Sequence, residues 1–151
     1  MVKAAHHARI QDGRAEQRQR EAEHEPLVQD GSTISLPGST RLFRLAHRRF
    51  LDLGCTLIVP SPVLAQAWRG RSHQALPSRI LPPCGVLPTS EADARAAGVL
   101  LGCSRTSDVV DAIVVATALR VGALVVTSDP DDIDLLWRSA ETDKPPPSYV
   151  V

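Results

Sequence analysis

Two short runs, "TLIVP" at 56–60 and "ALVVT" at 123–127, contain no charged residue and almost no polar one. A strand with one wet face alternates apolar and polar side chains, whereas a run that is apolar throughout needs cover on both faces. That condition is met by strands of a parallel sheet with helices on either side. The segments around the two runs supply such helices. "STRLFRLAHRRFLDLG" spaces Leu42, Leu45, Ala46, Phe50 and Leu53 at helical intervals and stops at Gly54. "SPVLAQAWRG" opens a helix with Ser61 as N-cap and Pro62 at the first helical position. "RSHQALPSRILPPCGVLP" reads as a broken helix followed by a short strand around 84–87. "SEADARAAGVLLG" begins with a capping box from Ser90 to Asp93 and closes at Gly102. "SDVVDAIVVATALRVG" is a capped helix over 107–122, "SDPDDIDLLWRS" a loop entering a helix, and "PPPSYVV" an edge strand. This alternation predicts a three-layer α/β/α sandwich around a central parallel sheet.

The chain of 151 residues fits one domain with a core of small aliphatic side chains, since Ala, Val and Leu dominate and aromatics are scarce. Residues 1–26 are polar and mixed in charge, with nothing to bury, so a frayed helix or a disordered extension is expected there. His6, His7 and His24 within it read as isolated surface histidines rather than a metal tract. Residues 27–151 then form the domain. Its first segment, "LVQDGSTISLPG", is broken by Asp30-Gly31 and Pro37-Gly38 and predicts a weak strand and turn at most.

Formal net charge is zero, so no global field draws the chain to nucleic acid or to a membrane surface. The zero conceals an asymmetry: residues 1–50 carry nine Lys/Arg against six Asp/Glu, and residues 105–151 carry four against eight. Cys55, Cys84 and Cys103 lack any CxxC or Cys/His pattern and read as reduced thiols of a cytosolic protein. No apolar span or signal-peptide pattern predicts a membrane segment or secretion.

Asp108 and Asp111 interrupt an otherwise apolar helix. They stand three apart near its start and share one face. Favouring the helix dipole and capping the N-terminus suffice to explain Asp108. Asp111 is harder to explain that way, because Val109, Val110, Ile113 and Val114 surround it and an unpaired buried carboxylate is expensive. Asp129 follows "ALVVT", at the carboxyl end of a parallel strand, where open α/β sheets gather ligands. The helix enters that strand through Gly122, so helix start and strand end can lie side by side. Asp108, Asp111 and Asp129 are therefore expected to converge as an oxygen-rich site for Mg2+ or Mn2+. Asp131, Asp132 and Asp134 read as solvated residues of the next helix.

The same residues carry a resemblance. "DVVDAIVVATALRVGALVVTSDPDDI" resembles the C-terminal half of PIN domains, and "LIVPSPVLAQAWRG" resembles their second strand and following helix, as in VapC-type toxins. The likeness spans about residues 41–136. It implies a PIN-like sandwich and a Mg2+-dependent endoribonuclease, with Mn2+ able to substitute, acting as the toxin of a toxin–antitoxin pair. Carried over by residue, Asp111 and Asp129 are metal-binding and catalytic, and Asp108 is an additional carboxylate one turn earlier. Thr127 or Ser128 is the small hydroxyl residue beside Asp129, with a substrate-orienting role. Gln66 stands on the helix where most PIN domains have a Glu; its amide can hold a water or a phosphate oxygen but brings no charge. Asp30 is the metal-binding candidate nearest to the family's first acidic position, on an atypical or truncated first strand. The implied partners are RNA, a small antitoxin protein and a second copy of the chain in a homodimer, in the cytoplasm and away from membranes.

Other readings stay open on the residues alone. A degenerate PIN domain that binds an antitoxin or RNA without cleaving it shares every motif above. A phosphoacceptor receiver domain also gathers aspartates at strand ends but needs a late Lys, and Lys144 stands in the Pro-rich tail. A nucleotide-binding Rossmann or P-loop enzyme is disfavoured by the absence of a glycine-rich phosphate loop.

Overall fold

The structure, a computed structural model, describes residues 26–29, 40–68, 77–142 and 148–150. The polar extension at 1–25, Asp30 and the rest of 30–39 lie outside the described residues. Five strands form one sheet: β1 (Leu27–Gln29), β2 (Leu57–Pro60), β3 (Gly85–Leu87), β4 (Leu124–Thr127) and β5 (Ser148–Val150). Their order is β3-β2-β1-β4-β5, and every neighbouring pair is parallel. The described helices are α1 (Thr40–Asp52), α2 (Ser61–Ala67), α3 (Pro77–Ile80), α4 (Glu91–Ser104), α5 (Val109–Val121) and α6 (Pro130–Arg138). From β1 the chain steps outward to β2 and β3, then returns past β1 to β4 and β5. With right-handed crossovers, α1 covers one face and α4, α5 and α6 the other. The result is the expected α/β/α sandwich. No helix among the described residues is long and apolar enough to cross a membrane.

The strand that reads weakest in the sequence holds the middle of the sheet. All three residues of β1 are buried, and β1 pairs with β2 on one side and β4 on the other. Backbone bonds from Leu27 N–H to Thr56 O (2.9 Å) and from Leu124 N–H to Pro26 O (3.1 Å) complete its two ladders. Its stability is borrowed from neighbours far along the chain, which local propensity does not register.

α5 forms the centre of its layer. It is buried from Ala112 through Ala118 and touches α2, α4 and α6 as well as β1, β2 and β4. A helix apolar on all sides belongs in such a position. Gly122 ends it at φ 67°, a left-handed conformation that glycine adopts without steric cost, and its N–H closes on Ala118 O. α4 packs antiparallel to it and carries the expected capping box between Ser90 and Asp93. Asp93 is 2% exposed and also receives Arg120 of α5, with Nε 2.6 Å and Nη2 3.3 Å from its two oxygens.

Several local details differ from expectation. α4 runs through Gly102 and ends at Arg105, the residue that takes the left-handed conformation (φ 60°). Ser61 is the first residue of α2 rather than its cap; Pro60 takes the cap position, and Ser61 Oγ donates to Leu87 O at 3.0 Å, tying α2 to the end of β3. α1 buries Phe43 and His47, while Leu45, expected on the apolar face, is 59% exposed.

Candidate active site

In a parallel sheet every strand ends at the same edge, and a crevice opens where successive connections leave in opposite directions. Here that point lies between β1 and β4. Gln29, the last residue of β1, pairs with Val126, and β4 continues from there through Thr127 and Ser128 to Asp129. α5 brings Asp111 toward the same edge. The ten steps from Asp111 to Val121 rise about 15 Å in an ideal helix, and the five steps from Leu124 to Asp129 return about 16 Å in an ideal strand, so the element lengths alone would carry Asp111 and Asp129 to the same end of the sheet.

The individual side chains divide into distinct roles. Asp108 is the N-cap of α5: its Oδ1 accepts from Val110 N–H at 2.9 Å and Asp111 N–H at 3.0 Å. Asp111 is half-buried in the first turn of α5. Asp129 is exposed and occupies the N-cap position of α6, yet its carboxylate makes no capping bond. Its N–H donates to Thr127 Oγ1 at 2.8 Å. Thr127 is 0% exposed, so its hydroxyl acts within this turn, behind Asp129 and away from any substrate. Ser128 is half-buried. Gln66 is half-buried on α2, which packs against α5, and its Oε1 is buried without a hydrogen-bond partner among the described residues.

The expected trio of Asp108, Asp111 and Asp129 does not form a metal-holding group, and no three His, Cys, Asp or Glu side chains do so among the described residues. The physical reason is the cap: Asp108 is turned back onto the helix that Asp111 decorates. Asp30 lies outside the described residues. The oxygen donors these elements carry are Asp111 in the first turn of α5, Asp129 beyond the end of β4, and on α2 the buried Oε1 of Gln66, which has no hydrogen-bond partner among the described residues. Such hard oxygen donors suit Mg2+, which is commonly held by one or two carboxylates with waters and substrate phosphate completing its shell.

One polar pair at this edge escaped the sequence reading. Gln29 is 0% exposed, and its Nε2 lies 3.1 Å from His47 Nδ1 on α1. With the amide donating, Nδ1 is the acceptor and the ring is neutral, protonated at Nε2. Burial lowers the His47 pKa below its usual value. The spacing of Phe43 and His47, one turn apart and with ring centroids separated by 5.8 Å, was the available signal. No protein-family model matches the sequence, and no curated protein matches it.

Proposed function

We propose that the chain is a divalent-metal-dependent endoribonuclease of the PIN type, acting in the cytoplasm as the toxin of a toxin–antitoxin pair. The observation that carries the reading is Asp129. It stands two residues beyond β4, beside the switch point of a parallel sheet, with a carboxylate that makes no cap bond to the helix it precedes. Asp129 and Asp111 would hold the cation. A bound Mg2+ or Mn2+ would neutralise charge on the scissile phosphate and acidify a water. Gln66, whose buried Oε1 has no partner among the described residues, would supply a neutral acceptor that orients a donor without adding charge. Two carboxylates would hold Mg2+ weakly by themselves, so RNA phosphate would add oxygen donors, and cleavage is expected to be strongest with Mn2+.

The test uses the full chain and single-stranded RNA. Cleavage is expected with Mn2+, slower with Mg2+, absent with chelator, and abolished by Asp129→Ala. A second reading, a non-cleaving PIN module that binds an antitoxin or RNA, is favoured by Gln66 standing where a Glu is usual. RNA left intact with either metal, together with tight binding of a small protein partner, would establish that second reading instead.

A further inference from the structure

We infer that the outer face of α1 is a docking surface for single-stranded RNA, gripped by its phosphate backbone; the choice of RNA rests on the function proposed above. Arg41, Arg44, Arg48 and Arg49 are all exposed on this one helix, whose single acidic residue, Asp52, comes last. Arg41, Arg44 and Arg48 are spaced by three and four residues, so they form one stripe along the axis, with Leu45, 59% exposed, among them. Arginines in the opposite layer behave differently. Arg95 is paired with Glu91 and Arg120 with Asp93, whereas none of the four on α1 makes an ion pair among the described residues.

The stripe destabilises its helix rather than supporting it. Arg44 repels Arg41 three residues before it and Arg48 four residues after it. Arg41 stands in the first turn, at the positive end of the helix dipole, with no acidic residue there to offset it. A linear anion laid along the stripe relieves both effects. Net charge is zero, so this attraction belongs to α1 and not to the chain as a whole.

An acidic segment of another protein would also suit the arginines, with Leu45 as its apolar anchor. Position favours RNA. α1 leads into the start of β2, where Cys55 N–H bonds to Phe50 O and Leu57 pairs with Leu27, so its first turns point to the opposite, carboxyl edge. The contact between His47 and Gln29 places His47 beside the last residue of β1. Arg44 and Arg41 come three and six residues before His47, about 4.5 Å and 9 Å further toward that edge in an ideal helix. Asp129 stands at the same edge, two residues beyond β4. A strand held on the stripe therefore leads to the end of the sheet that bears this carboxylate. Guanidinium forks match phosphate oxygens, and contacts to the backbone read no sequence, so the surface would grip RNA of any sequence.

The experiment measures binding rather than cleavage. A labelled oligouridylate of about 12 nucleotides is titrated with the full chain by fluorescence anisotropy, in chelator, over a range of salt concentrations. Arg44→Gln/Arg48→Gln is expected to weaken binding by about tenfold or more at low salt. The slope of log affinity against log salt should become shallower by about 1.4, for two lost phosphate contacts on a single strand. Arg95→Gln/Arg138→Gln removes the same charge from exposed positions in the opposite layer and should change neither quantity. Tm of the α1 variant should hold or rise, because a like-charge pair is gone. A lowered Tm would mark the arginines as supports of the fold and overturn the inference. Unchanged affinity and slope in the α1 variant, or an equal loss in the opposite-layer variant, also overturns it. A natural chain that binds polyglutamate in place of the oligouridylate, and loses it in the α1 variant, assigns the face to an acidic protein segment instead. RNA that is bound through the stripe yet never cleaved in Mn2+ defeats the nuclease reading and leaves the docking surface standing.

Discussion

A buried glutamine is an unusual way to end the middle strand of a sheet. Gln29 has one described partner, His47, and its Oε1 has none, so the pair is less favourable than two well-packed aliphatic residues would be. Replacing Gln29 alone by Leu strands His47 Nδ1 in the core and should lower Tm. Replacing both by Leu should recover most of that loss, which a double-mutant thermal cycle measures. The same pair gives the fold a pH dependence. His47 has its folded-state pKa depressed by burial from an ordinary 6.5, so the unfolded chain takes up the proton first. Stability is therefore full above about pH 6.5 and is lost as pH falls from there toward the folded-state value. Tm should decline from neutrality into mild acid, and His47→Phe should flatten that slope. Asp93 acts lower on the scale. Hydrogen bonds from Arg120, outweighing the opposing effect of burial, hold it below its ordinary 3.8, so its contribution is lost only as pH falls beneath that value.

Two helical contacts have consequences of their own. Arg120 clamps α5 to the buried Asp93 of α4, and Arg120→Met should cost about 1–3 kcal/mol by leaving a buried carboxylate short of donors. The lower part of that range is expected because the Arg120 side chain is 44% exposed and can be replaced in part by water. Arg120→Lys should restore part of the loss in chemical denaturation. Asp108→Ala should cost about 1 kcal/mol through its lost cap, with Mn2+ affinity unaltered, which separates Asp108 from Asp111 and Asp129. The elements themselves were legible to different degrees. β2 and β4 announce themselves as uninterrupted apolar runs, and the α4 capping box is spelled out by Ser90 and Asp93. α1 misled because arginines interleave its apolar residues, so a face centred on Leu45 looks as good as the one centred on Phe43 and His47. In the site, the place of Asp129 beyond the carboxyl end of β4 was readable from the apolar run before it, and that of Asp111 in the first turn of α5 from the capped helix pattern. The different fates of Asp108 and Asp129 were not readable. Both are aspartates opening a helix, and only Asp108 caps the one it precedes.

At the scale of the molecule, the order β3-β2-β1-β4-β5 assigns the two halves of the chain opposite sides of β1. The sheet has no continuous nucleus along the sequence. Leu27 completes one ladder with Leu57 and the other only with Leu124, so most native pairings in the centre join residues far apart in the chain. Such topologies fold slowly, because long loops must close before any contact rewards them. During synthesis β1 emerges long before β4, and one flank of it stays open until β4 follows. Asp129 emerges two residues beyond the strand that closes the gap. If the chain cleaves RNA through Asp129, it therefore stays inert on the ribosome that makes it until both halves of its sheet have emerged.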